Sequence, residues 1–302
     1  MKNKSKISVV VIVGPTASGK SDLGVQIAKK YNGEIISADS RQIYKYLNIG
    51  SAKVKGTWKK GIFMFEGVPH FCIDEISPKK IYTASEFKKS AQKAIKDISS
   101  RGKLPVVVGG TAFWVDALMY DLDLPEVSPN WALRKICEKK RADELLKMLA
   151  KLDPIRAAHI EQKNPRRLIR AIEIAKVLGM VPPIKKSNPY RALWIGIKPS
   201  DETLHSRIAK RSSAMIKAGL MRETKKLLLK GVSRKRIREF GFEYADALDI
   251  IEKRIKPQDL AGKLTQDTSK YAVRQMRWFK RNSDITWITT ARQAQTLMNR
   301  FI

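Results

Sequence analysis

Gly14-Pro15-Thr16-Ala17-Ser18-Gly19-Lys20-Ser21 is the stretch on which the fold turns. It satisfies GxxxxGK[ST], and its context suits the pattern. Ile7–Val13 before it is apolar except for Ser8, as a parallel strand covered on both faces requires, and Ser21–Tyr31 after it has helical periodicity through Leu23, Ile27 and Ala28. Glycines at both ends let backbone N–H groups close around phosphate oxygens at a positive helix N-terminus. In such a loop Lys20 neutralises the outer phosphate and the Ser21 hydroxyl ligates Mg²⁺.

Working outward, the α/β alternation continues. Glu34–Ala38 reads as a strand ending at Asp39-Ser40, Ser85–Ser100 as a helix, and Leu104–Val108 as a buried strand ending at Gly109-Gly110-Thr111. This order predicts a parallel α/β sheet of the P-loop NTPase-like kind, with strand C-termini along one edge, so Asp39 and Thr111 should face the phosphate loop. From Ser128 the pattern becomes helical. Trp131–Leu152 and Pro165–Leu178 read as helices before the breakers Pro182-Pro183 and Asn188-Pro189. Arg191–Ile197 returns to a strand, helices are expected at Asp201–Ala218, Arg222–Leu229 and Pro257–Arg281, and Ile285–Ile288 reads as a last strand. The expectation is a catalytic core of residues 1–127 and 191–302 with a mainly helical insertion at 128–190.

Charge points to the partner. The chain of 302 residues has 60 Lys and Arg against 29 Asp and Glu, a formal net charge of +31. Residues 1–127 carry +8 and residues 128–302 carry +23. Self-repulsion of that size suits a protein whose partner is a polyanion, and nucleic acid is favoured. No apolar stretch approaches the ~18 residues of a membrane span. Lys2, Lys4 and Lys6 before Ile7–Val13 imitate a signal peptide, but the run passes through Gly14-Pro15-Thr16 into a helix without a cleavage site. Cys72 and Cys137 are distant, and His70, His159 and His205 have no ligand spacing, which argues against a disulfide framework or structural zinc. A cytoplasmic protein without a membrane partner is expected.

The strand carrying GGT lacks the terminal Asp with which ATPases hold magnesium and water; Asp39 is instead a candidate general base beside the phosphate site. At this point the chain resembles the tRNA dimethylallyltransferases, also called tRNA isopentenyltransferases. The resemblance rests on GPTASGKS (14–21), ISADSRQIYK (36–45), NIGSAK (48–53), VPHFCIDEISP (68–78), YTASEF (82–87), VVVGGT (106–111), NPRRLIRAIEI (164–174) and RQMRWF (274–279), and runs from about Val10 to Ile288.

The resemblance implies transfer of a dimethylallyl group from dimethylallyl diphosphate to N6 of the adenosine 3′ of the anticodon (position 37), with Mg²⁺ as cofactor and the tRNA anticodon stem-loop as partner. It implies that backbone N–H groups of Thr16–Ser21, with Lys20 and Arg211, hold the diphosphate; that Asp39 takes the proton or a hydrogen bond from N6; and that Thr111 contacts the flipped nucleotide. It assigns tRNA contacts to Ser40, Arg41 and Gln42, to Arg134, to Arg166, Arg167, Leu168, Ile169 and Arg170, and to Arg238, Gly241, Phe242 and Glu243. By helical spacing, Arg166, Arg167 and Arg170 share a helix face opposite Leu168 and Ile172, and Arg207 and Arg211 share one near the core. The chain resembles the compact bacterial members, which lack a C-terminal zinc finger, and a monomer is expected.

The chain departs from the family pattern in places. Ala112-Phe113-Trp114 stands where the family has Gly-Leu-Tyr, Phe242 replaces a tyrosine, Val273 a lysine and Arg277 a threonine. Three rival functions follow from the same residues: an adenylate isopentenyltransferase, a P-loop small-molecule kinase, and a non-catalytic RNA-binding protein with a relict loop. Met215, Met221 and Met276, with Trp278 and Phe279, read as core, His70 as a structural histidine, and Arg234-Lys235-Arg236 as a short basic patch open to either a phosphate or a solvent role.

Overall fold

The computed structural model of the chain describes residues 6–302; Lys2 and Lys4 of the basic opening lie outside the described residues. The first part runs β1 (Ile7–Val13), α1 (Lys20–Lys30), β2 (Gly33–Ser37), β3 (Thr57–Lys59), β4 (Ile62–Phe65), β5 (Val68–Phe71), α2 (Ala84–Ser100), β6 (Leu104–Val108) and α3 (Ala112–Met119). Next come α4 (Trp131–Cys137), α5 (Ala142–Leu152), α6 (Pro154–His159) and α7 (Pro165–Leu178). The chain then continues through β7 (Tyr190–Ile197), α8 (Asp201–Ala218), α9 (Leu220–Leu229), α10 (Arg234–Glu239), α11 (Phe242–Ile251), a 3₁₀ turn (Pro257–Asp259), α12 (Leu260–Phe279), β8 (Thr286–Ile288) and α13 (Ala291–Phe301).

Among the described residues, eight strands form one sheet in the order β3-β4-β5-β2-β6-β1-β7-β8. It is parallel from β5 to β8, while β3 and β4 add an antiparallel end. The β-branched run of β1 explains its central place. Val9, Val11 and Val13 pack into a core shared with α2, α3 and α12, whereas Val10 and Ile12 pack into a second core with α1 and α13. A strand with two apolar faces must be covered on both. Among the described residues no helix is long and apolar enough to cross a membrane.

The described chain divides into two compact units, one taking in the chain up to Asp121 and Asn188–Ile302, the other Leu122–Ser187. The smaller unit has its own core of Cys137, Leu145, Leu149, Leu168 and Ile172. Within it, the single helix expected over Trp131–Leu152 is two. Arg141 is extended (φ −73°, ψ 160°) and its N–H donates to the Glu144 carboxylate at 2.9 Å, which starts α5 afresh. The apolar spacing crosses this break and concealed it. The helix expected from Pro257 opens instead as a 3₁₀ turn, with proline at its first position. Strands β3, β4 and β5 were not foreseen, because three or four residues are too short to show a period. Helix α13 was also missed, although a capping box at Thr290 and Gln293 marks its start.

Glu173 is the polar centre of the small unit. It is 1% exposed and accepts from Arg134 Nε (2.7 Å) and Nη2 (2.8 Å), from the Asn130 N–H (2.9 Å) and from Arg170 Nη1 (3.3 Å). Burial raises its carboxyl, but the Arg134 and Asn130 bonds outweigh burial and hold it below the ordinary value of 4.5. A carboxylate held low contributes stability above that value and loses it as pH falls. Glu173→Gln should therefore cost about 2 kcal/mol at neutral pH, less than a fully buried pair because the arginines keep some water. The loss should shrink below about pH 4. Denaturation at several pH values, with hydrogen exchange over residues 122–187 to locate the change, checks both statements.

Candidate active site

Strand register assembles the site. Ile12 and Ser37 both pair with Val108, Val13 pairs with Gly196, and Ile197 with Ile288, so the strand C-termini finish level along one edge. At that edge β1 enters the phosphate loop through Gly14 (φ +143°), where an added Cβ would stand 2.6 Å from the Ile197 carbonyl oxygen. The chain passes through Pro15, Ala17 (φ 62°) and Gly19 (φ +94°) before α1 starts at Lys20. As first-turn residues, Lys20 and Ser21 carry N–H groups with no intrahelical acceptor.

Positive charge surrounds this loop. Arg211 Nη1 donates to Thr16 Oγ1 at 3.1 Å, Arg207 Nη1 to the Ser18 carbonyl at 3.3 Å, and Lys20 Nζ to the Pro15 carbonyl at 2.5 Å. Burial, assisted by Arg211, pushes the Lys20 ammonium down to about 7, with Asp39 opposing. Ser18 Oγ is buried without a partner. Crowded cations beside an orphaned hydroxyl suit an anion. One expectation needs correction. The Thr16 N–H is not open to a phosphate, because it donates to Gln275 Oε1 at 2.8 Å, and the Ser18 N–H donates to the Pro15 carbonyl at 3.3 Å. Gln275 Nε2 also donates to the Gly110 carbonyl at 2.7 Å, so one buried side chain ties the phosphate loop to the turn after β6.

Asp39 follows β2 and closes an Asx turn, its Oδ1 accepting from the Arg41 N–H (2.9 Å) and the Gln42 N–H (3.2 Å). Gly109 lies so close that a Cβ there would collide with the Ala38 carbonyl. That approach lets Thr111 Oγ1 accept the Ser40 N–H at 3.0 Å and meet Ser40 Oγ at 3.3 Å. Gly109 and Gly110 line the cavity, and the Thr111 hydroxyl beside them fixes the Ser40 turn. The Arg41 guanidinium lies over the rings of Phe242 (5.3 Å) and Tyr271 (5.5 Å) and pairs with Glu243 at 2.6 Å, just past Gly241 at the head of α11. Burial raises the Glu243 carboxyl against the pull of Arg41, and pushes the Tyr271 phenol up to about 12.

One cavity of about 860 Å³ opens here, with Lys20, Ser21, Asp39, Gln42, Lys53 and Arg211 on its wall. Apolar Ile35, Phe65, Ile73 and Val108 line it too. Tyr271 and Gln275 carried no role in the sequence. Gln275 lies within the quoted RQMRWF (274–279), and the spacing of four puts Tyr271 on the same face of α12. For Mg²⁺, the protein's donor set on the cavity wall is the Ser21 hydroxyl, and no cluster of three His, Cys, Asp or Glu able to hold a metal occurs among the described residues. A cation that takes one or two protein oxygens and otherwise phosphate and water fits that set.

The remaining expected contacts divide. Arg166 and Arg167 are exposed on α7, Arg167 pairing with Glu161 at 2.9 Å. Leu168 and Ile169, read as tRNA contacts, are buried at 0% and 7% exposure in the core of the small unit and present no side chain to a ligand. Arg134 and Arg170 are engaged with Glu173, and Arg238 with Asp249 (2.7 Å) and Glu252 (2.8 Å). Arg236 is structural, donating to the Pro78 and Lys80 carbonyls. His70 is buried against the Val68 carbonyl, and Phe279 is core.

A family model described as IPP transferase matches residues 42–282, and one described as Isopentenyl transferase matches residues 7–60. A tRNA dimethylallyltransferase of Acetivibrio thermocellus is 39% identical over 291 residues, covering 93% of this chain and 91% of that protein. One from Staphylococcus aureus is 36% identical over 308 residues, covering 98% and 97%. Among solved structures, the tRNA isopentenylpyrophosphate transferase of Bacillus halodurans superposes with a TM-score of 0.70 at 32% identity, covering 98% of this chain and 95% of that one. A eukaryotic dimethylallyltransferase acting on tRNA gives 0.74 at 25% identity, covering 97% and 77%.

Two substitutions test the anion site. Lys20→Met should weaken binding of inorganic diphosphate by about 100-fold without lowering the melting temperature, since a buried ammonium is removed along with its desolvation cost. Gln275→Ala should weaken it by about tenfold by loosening the loop. Calorimetric titration alongside thermal denaturation reads both.

Proposed function

The chain belongs to the IPP transferase family, and from that premise we infer that it transfers a dimethylallyl group from dimethylallyl diphosphate to N6 of adenosine 37 in tRNA. The observation that carries the detailed reading is that one cavity has the cations of the phosphate loop, the Asp39 carboxylate and an apolar wall. Lys20, Arg211 and the N–H groups opening α1 bind the diphosphate and stabilise the charge that grows as the C1–O bond breaks. The N6 lone pair forms the new bond to C1, and Asp39 receives the N6 proton and later passes it to water. Diphosphate binding favours the charged form of Lys20, adding to Asp39 in opposing burial and Arg211. Mg²⁺, held by Ser21 and the diphosphate oxygens, would supply further charge neutralisation.

An exocyclic amine is a weak nucleophile, so placement of the adenine matters more than the strength of the base. Ser40, Arg41 and Gln42 occupy the turn next to Asp39 and are the groups proposed to hold the flipped nucleotide, with Phe242 and Glu243 fixing Arg41. Thr111 acts on that turn through Ser40. Unstacking the base costs a few kcal/mol, which phosphate contacts must offset. The exposed Arg166 and Arg167 suit that task, and the +31 charge supplies long-range attraction to the anticodon stem-loop. The acceptor is therefore taken to be tRNA in the cytoplasm rather than a free adenylate.

Labelled dimethylallyl diphosphate, unfractionated tRNA and Mg²⁺ should give labelled N6-dimethylallyladenosine on nucleoside analysis, with AMP a poor acceptor. Label on AMP alone, or phosphoryl transfer from ATP in its place, would overturn the assignment. Asp39→Asn should lower transfer by at least about 100-fold while tRNA affinity stays within a few-fold. Arg167→Ala should weaken tRNA binding and reduce the slope of log affinity against log salt by about 0.7–1.

A further inference from the structure

Glu223 lies on α9, outside every motif quoted above, yet its carboxylate is 9% exposed and fully engaged. Oε1 accepts from the Ile49 N–H (3.0 Å), the Gly50 N–H (3.1 Å) and the Tyr244 hydroxyl (2.8 Å), and Oε2 from the Asn48 N–H (3.0 Å) and the Ile49 N–H (2.9 Å). Three consecutive backbone donors converge on one carboxylate, and Tyr244 packs its ring on Gly50. Such a device anchors a loop more firmly than apolar packing alone, because each amide would otherwise be left without a partner.

The anchored loop forms part of the cavity wall, through Gly50, Ser51, Ala52 and Lys53. Its carbonyls at Ser51 and Ala52 accept from Gln42 Nε2 at 3.3 and 3.4 Å, and the Gln42 N–H is one of the two donors held by Asp39. Ala52 sits at φ 47°, a left-handed conformation that persists only when its surroundings impose it. A continuous set of hydrogen bonds thus runs from Glu223 through residues 48–52 and Gln42 to Asp39.

We propose that Glu223 is a positioning residue for the transfer reaction, holding the 48–53 wall so that Gln42 and Asp39 keep their places against the incoming adenine. Its effect on turnover presupposes the reaction proposed above. The phosphate loop lies outside this set of bonds, so diphosphate binding should be indifferent to it. Glu223→Gln preserves volume but sets an NH₂ group against backbone donors. Tyr244→Phe removes one donor while keeping the ring on Gly50.

The experiment measures kcat and KM for dimethylallyl diphosphate on tRNA with the full chain, for these variants, for Gln42→Ala, and for Glu223→Gln combined with Gln42→Ala. Glu223→Gln should lower kcat by about 30-fold with the diphosphate KM within about twofold, and Tyr244→Phe by about threefold in the same pattern. In the Gln42→Ala background Glu223→Gln should add almost nothing, since the link it acts through is already gone. Amide exchange at residues 48–50 should accelerate in Glu223→Gln. Unchanged kcat, additive losses in the double variant, or an equal loss of diphosphate affinity would overturn the role. Should Glu223→Gln fail to fold, Tyr244→Phe alone and combined with Gln42→Ala decides by the same criteria. A wild-type chain that modifies no tRNA would instead overturn the transfer reading.

Discussion

The parallel register of β1 with β6 and β7 is the constraint on which the rest depends. Pairing Ile12 with Val108 and Val13 with Gly196 brings the phosphate loop, the Gly109 turn and the end of β7 to one height. Pairing of Ser37 with Val108 adds the Asp39 turn. A one-residue slip would exchange Val9, Val11 and Val13 with Val10 and Ile12 between the two cores. The chemistry at the strand ends is therefore held by apolar packing beneath it, and the sheet sets the height at which the site's loops begin.

On that edge the protein concentrates charge at a cost. Lys20, Arg207 and Arg211 crowd one loop, and the Lys20 ammonium is pushed down to about 7 by burial and by Arg211. Their hydrogen bonds go to neutral oxygens, the Pro15 and Ser18 carbonyls and the Thr16 hydroxyl, with Asp39 an opposing charge nearby. An arrangement unfavourable in the free protein is what a multiply charged ligand stabilises, and the orphaned Ser18 hydroxyl fits the same account. Carboxylates near the site are used differently: Glu243 fixes Arg41, Glu223 fixes a loop, and Asp39 is held by only one of its oxygens in the Asx turn.

Part of the large basic excess is engaged within the protein. Arg134, Arg170, Arg236 and Arg238 all resemble phosphate ligands in sequence, and in the fold each also bonds internal carboxylates or carbonyls. Arg166 and Arg167 remain at the surface of α7. Arginine serves both purposes because its planar fork matches carboxylate and phosphate alike, and only the location of Glu173, Asp249 and Glu252 distinguishes the two uses.

By itself the sequence determined what depends on near neighbours and period. The alternation of strand and helix, the loop at 14–21, the strand at Leu104–Val108 and the helices at Pro165–Leu178 and Asp201–Ala218 were legible, since backbone geometry and a buried stripe impose patterns on adjacent residues. The motifs resembling the transferases were legible for the same reason. The tertiary structure alone decided which distant groups share the cavity. Gln275 meets the Thr16 N–H across 259 positions, and Glu223 meets the 48–50 amides across about 174. That Thr111 braces the Ser40 turn, and that the Leu168 and Ile169 side chains lie in a core, appeared only once their neighbours in space were known. A buried polar group chooses its partner by proximity in the fold, and chain spacing records proximity only within a turn or two of helix.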